Sequence, residues 1–230
     1  MDEPVFLITG ASSGIGAETA RRASAEGYRL ALAARREDRL GKLVEELGGP
    51  DRALAIACDV TDEDQQIAMI ERVLAHFGRL DVVFANAGMG GSPGGFSGAD
   101  TAVWRQMLLT NVHGVALTLR HSIEALKLSG GHILLTGSAA GRVTIPGSMY
   151  SATKWAVTAI GYGVREELRG SGIRVTLIEP GMVDTPFFDQ PPSTALQSAD
   201  VARAVIYAVS QPRHVDVNEI LVRPTPPEEG

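Results

Sequence analysis

The 230-residue sequence predicts an α/β fold, a doubly wound parallel sheet of about seven strands with helices on both faces. Three observations carry this reading. Short apolar runs alternate with helical periodicity along the whole chain. A run such as Asp81-Val82-Val83-Phe84-Ala85 lacks polar alternation, as a strand buried on both faces should. Each strand-to-helix step also fits a right-handed crossover to a parallel neighbour.

The elements follow in order. A strand at 5–9 leads through a small-residue turn into a helix at 14–27. Strands at 29–34, 53–57 and 81–85 are followed by helices at 37–47, 62–77 and 100–128. Strands at 131–137 and 173–179 lead to helices at 150–169 and 199–210, and a strand at 217–222 completes the set. No internal repeat or linker divides the chain, so residues 1–230 are read as one domain. The tail 224–230, rich in proline and acid, has no means of burying surface and is expected to fray.

Composition excludes several classes of function. The formal charge is −6 with acids and bases intermixed, and no basic stripe with interleaved aromatics suggests a nucleic-acid partner. No run of eighteen apolar residues exists and a strand begins almost at once, which disfavours a membrane span and a secretory signal. The single cysteine, Cys58, fits a reducing cytoplasm and reads as a buried structural thiol. His113 and His121 lie eight residues apart on one helix, too far for joint ligation, so no metal site is expected. Trp104 and Trp155 read as helix-packing residues.

The first turn carries chemistry. Its sequence is Thr9-Gly10-Ala11-Ser12-Ser13-Gly14-Ile15-Gly16. Gly10 permits a sharp turn, Gly14 lets backbone approach a diphosphate, and Gly16 permits close helix–strand packing. The helix N-terminus beyond it offers free N–H groups and a positive dipole end to a phosphate. The T-G-x-x-x-G-x-G spacing departs from the G-x-G-x-x-G of other dinucleotide sites.

A second constellation lies downstream. Tyr150-Ser151-Ala152-Thr153-Lys154 follows Ser138 by twelve positions, and its four-residue spacing puts phenol and ammonium on one helix face. A phenol titrates near ~10 unaided, and a nearby lysine charge is expected to pull that value down towards neutral pH. Ser138 supplies a hydroxyl able to orient a substrate oxygen towards the phenol.

Together, Thr9–Gly16, Ser138, Tyr150 and Lys154 resemble the short-chain dehydrogenase/reductase family in its single-domain form. The resemblance extends over most of the chain. It implies a Rossmann-like sheet of order 3-2-1-4-5-6-7. Asp59-Val60 after the third strand corresponds to the family's adenine-holding acid, and Asn86-Ala87-Gly88 follows the fourth strand. Pro180-Gly181-Met182-Val183-Asp184-Thr185 matches the loop beside the nicotinamide. Asn111 corresponds to the helix residue that holds a water linking Lys154 to solvent. Two departures stand out: Phe84-Ala85 precedes Asn86 where many relatives have a second Asn, and the Ser138–Tyr150 interval is twelve rather than thirteen. A shorter loop at Pro146-Gly147-Ser148 would absorb the latter.

The second strand ends Ala33-Ala34-Arg35-Arg36, where an NAD-preferring site has an acid for the ribose 2′-hydroxyl. A guanidinium suits a 2′-phosphate instead, through bonds worth roughly 1.5–3 kcal/mol. Arg35 is read as the phosphate ligand, with Arg36 helping and Ser12 or Ser13 able to donate, and NADP(H) as the preferred cofactor. The implied activity is NADP(H)-dependent interconversion of a carbonyl and an alcohol, with Tyr150 as acid/base, Ser138 on the oxygen, and Lys154 holding the ribose and tuning Tyr150. The stretch from Ala202 to Thr225 is similar to that of reductases acting on 3-hydroxy acids and short-chain alcohols, so a 3-hydroxy acid (serine-type) dehydrogenase is a second reading. A nucleotide-sensing protein without turnover is a third.

Phe187 and Phe188 follow Thr185 and are candidates to line the substrate pocket. The glycine-rich rim 89–95 is a candidate gate, and the short segment between Thr185 and Ser198 hints at an open pocket. Arg142 reads as a surface residue, with contact to an acidic substrate as the alternative. By resemblance, small apolar residues such as Ala116, Ala156 and Ala159 belong to a homodimer or homotetramer interface.

Overall fold

The computed structural model describes residues 3–91, 93–187 and 193–225. Four strands and three helices appear first in strict alternation: β1 (Val5–Thr9), α1 (Gly14–Ala25), β2 (Arg29–Ala34), α2 (Glu37–Glu46), β3 (Ala53–Ala57), α3 (Glu63–Phe77) and β4 (Val82–Ala85). A one-turn helix α4 (Gly95–Gly98) precedes α5 (Thr101–Leu108) and α6 (Gly114–Ser129). Then follow β5 (His132–Thr136), α7 (Met149–Glu167), β6 (Arg174–Pro180), the short strands β7 (Val183–Asp184) and β8 (Leu196–Gln197), α8 (Ser198–Ser210) and β9 (Glu219–Val222). The main sheet has seven strands in the order β3-β2-β1-β4-β5-β6-β9, all parallel. This is the Rossmann-like order the resemblance implied. β7 and β8 form a separate two-stranded ribbon that the apolar pattern is too short to signal.

Strand pleating sorts the core into two layers. Phe6 and Ile8 of β1 face α1, α2 and α8 through Ala20, Leu40 and Val205. Val5 and Leu7 face α3, α6 and α7 through Met69, Leu119 and Val157. The central strands are buried along their whole length, which is why their sequences show no alternation. Edge strand β9 alternates between exposed and half-buried positions.

The long helix expected over 100–128 is instead three consecutive helical segments. A π-helical turn, Leu109–His113, separates α5 from α6. The widened turn is locked from outside the helix. The buried Gln66 amide donates to Val60 O (2.7 Å) and to Gly114 O (2.8 Å), and its Oε1 accepts from Thr118 Oγ1 (2.9 Å). α6 begins hard against the β3–α3 loop, where a Cβ on Gly114 would lie 2.9 Å from Val60 O. The fourth strand starts one residue later than expected, and just before it the Asp81 carboxylate accepts from Val5 N (2.8 Å) and from Arg79.

The β1–α1 turn closes at the C-terminal edge of the sheet. Gly10 has φ +67°, a conformation other residues adopt only at a cost. At Gly16 the constraint is space: a Cβ there would lie 2.5 Å from Gly10 O and 2.8 Å from Asn86 Nδ2. Gly41, within α2, has nothing within 4 Å of its missing Cβ. Gly16→Ala should therefore cost about 1–3 kcal/mol of stability by overpacking. Gly41→Ala should gain about 0.5–1 kcal/mol from helix propensity. Chemical denaturation of the two variants checks both, and equal effects at the two sites would refute this account of the turn.

Candidate active site

The C-terminal ends of the parallel strands open into a cleft of about 660 Å³. Its floor is the glycine turn. Gly10, Ser12, Ser13, Gly14 and Ile15 line it, with α1 starting at Gly14. The N-terminus of α1 has no side-chain cap at Ser13 and no acid in its first turn, so its positive dipole end is left uncompensated. By contrast, α3 is capped by the Asp62 side chain and carries Glu63 and Asp64 in its first turn. Gly16 lies outside the lining, behind the turn.

A line of hydrogen bonds runs from this turn across the sheet. Thr9 Oγ1 accepts from Asn86 N (3.0 Å) and Ala87 N (3.1 Å), while Asn86 Nδ2 donates to Thr9 O (3.0 Å). Asn86 Oδ1 accepts from Thr136 Oγ1 (3.1 Å), and Thr136 O accepts from Lys154 Nζ (2.8 Å). Thus β1, β4, β5 and α7 are joined through polar groups at the sheet edge. Asn86, Ala87 and Gly88 all line the cleft.

One end of the cleft is cationic. Arg35 and Arg36 both line it, at the end of β2. Arg36 Nη2 donates to Ser12 Oγ (3.0 Å) and Ser13 Oγ (2.9 Å), tying the guanidinium to the glycine turn. Arg35 is exposed and forms no hydrogen bond or ion pair among the described residues. Asp59, Val60 and Cys58 complete this end. One Asp59 oxygen is committed to Thr61, accepting from its N (3.0 Å) and Oγ1 (2.8 Å). The Cys58 thiol is buried and pushed up to about 11 by desolvation and the nearby acids Asp59 and Asp62.

The other end brings together Ser138, Tyr150 and Lys154. Ser138 caps a 3₁₀ turn at Ala139–Gly141, accepting from Ala140 N (3.0 Å). Ser148 caps α7 by accepting from Ser151 N (3.1 Å), so Tyr150 falls in the first turn of that helix. The two caps define the twelve-residue interval and set Ser138 and Tyr150 at the same end of the cleft. Lys154, one turn on, is buried with Nζ 5.6 Å from the centre of the Tyr150 ring.

The expected lowering of the Tyr150 pKa is corrected here. Burial dominates and pushes the phenol up to about 12, and the Ser138 hydroxyl is the influence in the opposite direction. Lys154 is desolvated in turn, which brings its ammonium down to about 8. Asn111 stands beside the site, its Oδ1 and Lys154 Nζ lying 3.5 and 3.8 Å from the position a Cβ on Gly88 would take. It lies outside the cleft lining, in the π-helical turn. Its Nδ2 donates to Met89 O (2.8 Å) and Thr153 Oγ1 (3.0 Å), and its Oδ1 accepts from Met89 N (2.8 Å). Both amide hydrogens are thus spent on holding the Met89 rim against α7.

Pro180, Gly181, Val183 and Thr185 line the cleft on the side of the β6 loop. Pro180 O lies 3.4 Å from Ser138 Oγ, and Thr185 packs over Gly14, 3.1 Å from the position a Cβ would take there. Phe187 lines the cleft with its ring edge-on to Tyr150 at 5.6 Å, and Phe188 lies outside the described residues. Arg142 is partly exposed, and its guanidinium is held by acids rather than left free. Its Nε donates to Glu179 Oε1 (2.7 Å) and Oε2 (2.8 Å), its Nη2 pairs with Glu219 Oε2 (2.5 Å), and its Nη1 donates to Tyr162 OH (3.0 Å). Glu179 is buried, which raises its pKa against the lowering effect of Arg142. Sequence reasoning missed Thr136, Val143 and Ile145 in the lining. The last two had a signal, being bulky apolar residues within the Ser138–Tyr150 loop.

The family model for short chain dehydrogenase matches residues 4–195. The chain belongs to the short-chain dehydrogenase/reductase family. An uncharacterised oxidoreductase of Staphylococcus epidermidis in this family is 37% identical over 227 residues, covering 96% of this chain and 97% of that one. The X-ray structure of the alcohol dehydrogenase from Thermococcus sibiricus complexed with 5-hydroxy-NADP superposes with a TM-score of 0.89. It is 33% identical, over 99% of this chain and 100% of that one. The crystal structure of serine dehydrogenase from Escherichia coli superposes at 0.86 with 30% identity, over 94% and 96% of the two chains.

The buried lysine generates a pH prediction. With a folded-state pKa of about 8 against the ordinary 10.5, the unfolded chain binds more protons at Lys154 between these values. Its burial therefore costs most stability below pH 8, and the cost fades as pH rises. Lys154→Met should be more stable than the parent at pH 8, and that advantage should shrink by about 2 kcal/mol by pH 10. Denaturant titrations at the two pH values check this. A difference that does not change with pH would contradict the depressed lysine.

Proposed function

We propose that the chain is an NADP(H)-dependent oxidoreductase that interconverts a secondary alcohol and a carbonyl compound. The observation that carries this reading is the convergence of Ser138, Tyr150 and Lys154 in one cleft with the uncapped α1 N-terminus. The residues fit such a cofactor. The α1 N-terminus and Ser12 and Ser13 would hold the diphosphate. Arg35 would pair with a 2′-phosphate, and Arg36, already fixed to both serines, would flank it. Asp59 and Val60 would border the adenine, and Asn86, Ala87, Gly88, Pro180, Gly181, Val183 and Thr185 would border the remainder. NADP(H), when bound, supplies or accepts the hydride.

The protein's part is position and proton transfer. A phenol held near 12 is protonated at neutral pH, so Tyr150 would enter carbonyl reduction as the acid. Ser138 would donate to the same substrate oxygen, where negative charge develops. As the proton leaves Tyr150, the Lys154 ammonium one helical turn away would stabilise the phenolate, and its protons would also reach ribose hydroxyls. Asn111 would act at one remove, fixing Met89 and α7.

Likeness to the Escherichia coli serine dehydrogenase supports a second reading, a 3-hydroxy acid dehydrogenase. The proposal includes a cytoplasmic homodimer or homotetramer formed through α5, α6 and α7. Leu108, Leu109, Trp155 and Tyr162 are exposed on these segments, as are Ala116 and Ala159, and Ala156 is half-buried.

Two variants test the function. Tyr150→Phe should lose at least about a hundredfold in kcat while binding NADPH as before, consistent with the usual worth of a general acid. Undiminished turnover would remove the phenol from the mechanism, and binding without any turnover in the parent would favour a nucleotide sensor. Arg35→Ala should reduce the ratio of kcat/KM for NADPH over NADH by about ten- to a hundredfold. An unchanged ratio would overturn the phosphate assignment.

A further inference from the structure

The walls around the candidate acid–base group differ sharply from those at the arginine end. Phe187 stands edge-on to Tyr150 and covers Gly90, where an added Cβ would overlap its ring and lie 3.4 Å from Tyr150 Cδ2. Val143 and Ile145 line the same end and sit at the start of α7, where Val143 O accepts from Ser151 Oγ (3.2 Å) and Ile145 O from Ser148 N (3.2 Å). Met182, half exposed, adds a further apolar side chain from the β6 loop.

Met89, Val143, Ile145, Met182, Pro186 and Phe187 border this end, and among the described residues lining the cleft the cationic side chains are Arg35, Arg36 and Lys154. The bases in the lining are accounted for elsewhere. Arg35 and Arg36 belong to the β2 end beside Ser12 and Ser13, and Lys154 is buried with its ammonium on Thr136 O. Arg142, the nearest other cation in sequence, is held by Glu179, Glu219 and Tyr162. A carboxylate on the substrate would find apolar walls and no charge partner, and an unpaired anion loses more by leaving water than those walls return.

We infer that the substrate is an uncharged carbonyl compound with apolar flanks, and that the site discriminates against oxo acids. The inference rests on the oxidoreductase reading above and selects within it. Of the two substrate readings, it favours the neutral alcohol and carbonyl over the 3-hydroxy acid. The selectivity has no dedicated repulsive group. It follows from the absence of a free cation among the described residues lining this end, together with the Phe187 ring that narrows the approach to Tyr150.

Methyl acetoacetate and acetoacetate share one ketone and differ in a neutral ester against a carboxylate, which makes them a matched probe. With NADPH as reductant, kcat/KM for the ester should exceed that for the acid by at least about tenfold, the worth of a missing charge-assisted contact. Ile145→Arg, which places a guanidinium on the rim, should shift the ratio towards the acid by about tenfold or more. Equal rates, or a preference for acetoacetate in the parent protein, would overturn the inference while leaving the oxidoreductase intact. An unmoved ratio in Ile145→Arg would overturn it as well, since the rim would then not meet the substrate. Failure of both compounds and of a panel of neutral ketones and aldehydes, with NADPH still bound, would instead withdraw the oxidoreductase reading and this inference with it.

Discussion

The hydrogen-bonded line from Thr9 through Asn86 and Thr136 to Lys154 is the constraint on which the rest of the structure depends. It lies where the parallel strands β1, β4 and β5 end and α7 begins, a place where strand pairing stops and backbone polar groups need other partners. Thr9 and Asn86 supply them to one another, which brings the Gly10 turn close against Ala87 and leaves the start of α1 facing open space. Thr136 extends the contact by one strand and binds the lysine from the far side of the sheet. Each link satisfies a buried or half-buried group, so removal of one would leave its neighbour unpaired at a cost of about 1–3 kcal/mol. A nucleotide-sized cleft and a buried ammonium therefore share one support.

The cleft built on this support has two chemically different ends. At the β2 end, two guanidiniums and an uncompensated helix dipole gather positive charge. At the α7 end, desolvation governs: it raises the phenol of Tyr150 and lowers the ammonium of Lys154, so that both groups are pressed towards their neutral forms. A phenol and an amine in such surroundings exchange protons with a bound oxygen more readily than they hold isolated charge. The apolar side chains that desolvate them also form the wall a substrate would meet.

Much of this was legible in the sequence because it is local. The glycine turn, the buried strands and the Tyr150–Lys154 spacing each lie within a few residues, and periodicity places them on the correct elements. The family resemblance supplied the strand order and pointed to Asp59, Asn86 and the Pro180–Thr185 loop. What escaped depends on partners distant in sequence. The π-helical turn around Asn111 exists because Gln66 reaches Gly114 from 48 positions away. The ion pairing of Arg142 was not visible because Glu179 and Glu219 arrive from β6 and β9. The Tyr150 pKa was misjudged for a related reason: the spacing to Lys154 is visible in sequence, whereas the burial that outweighs it is not. Phe187 was a candidate for the pocket, but its position over Gly90 required the folded β6 loop.

The central claim is that this cleft holds NADPH in one orientation beside a carbonyl whose oxygen meets Tyr150. Its most direct measurement is deuterium transfer from NADPH labelled at C4 on one face, and then on the other, to a neutral ketone. Label on the carbinol carbon from one face alone is the expected result, because a cofactor anchored at the Gly10 turn and bordered by Thr185 can present only one side. Product without deuterium from either labelled form, or with equal transfer from both, would contradict it.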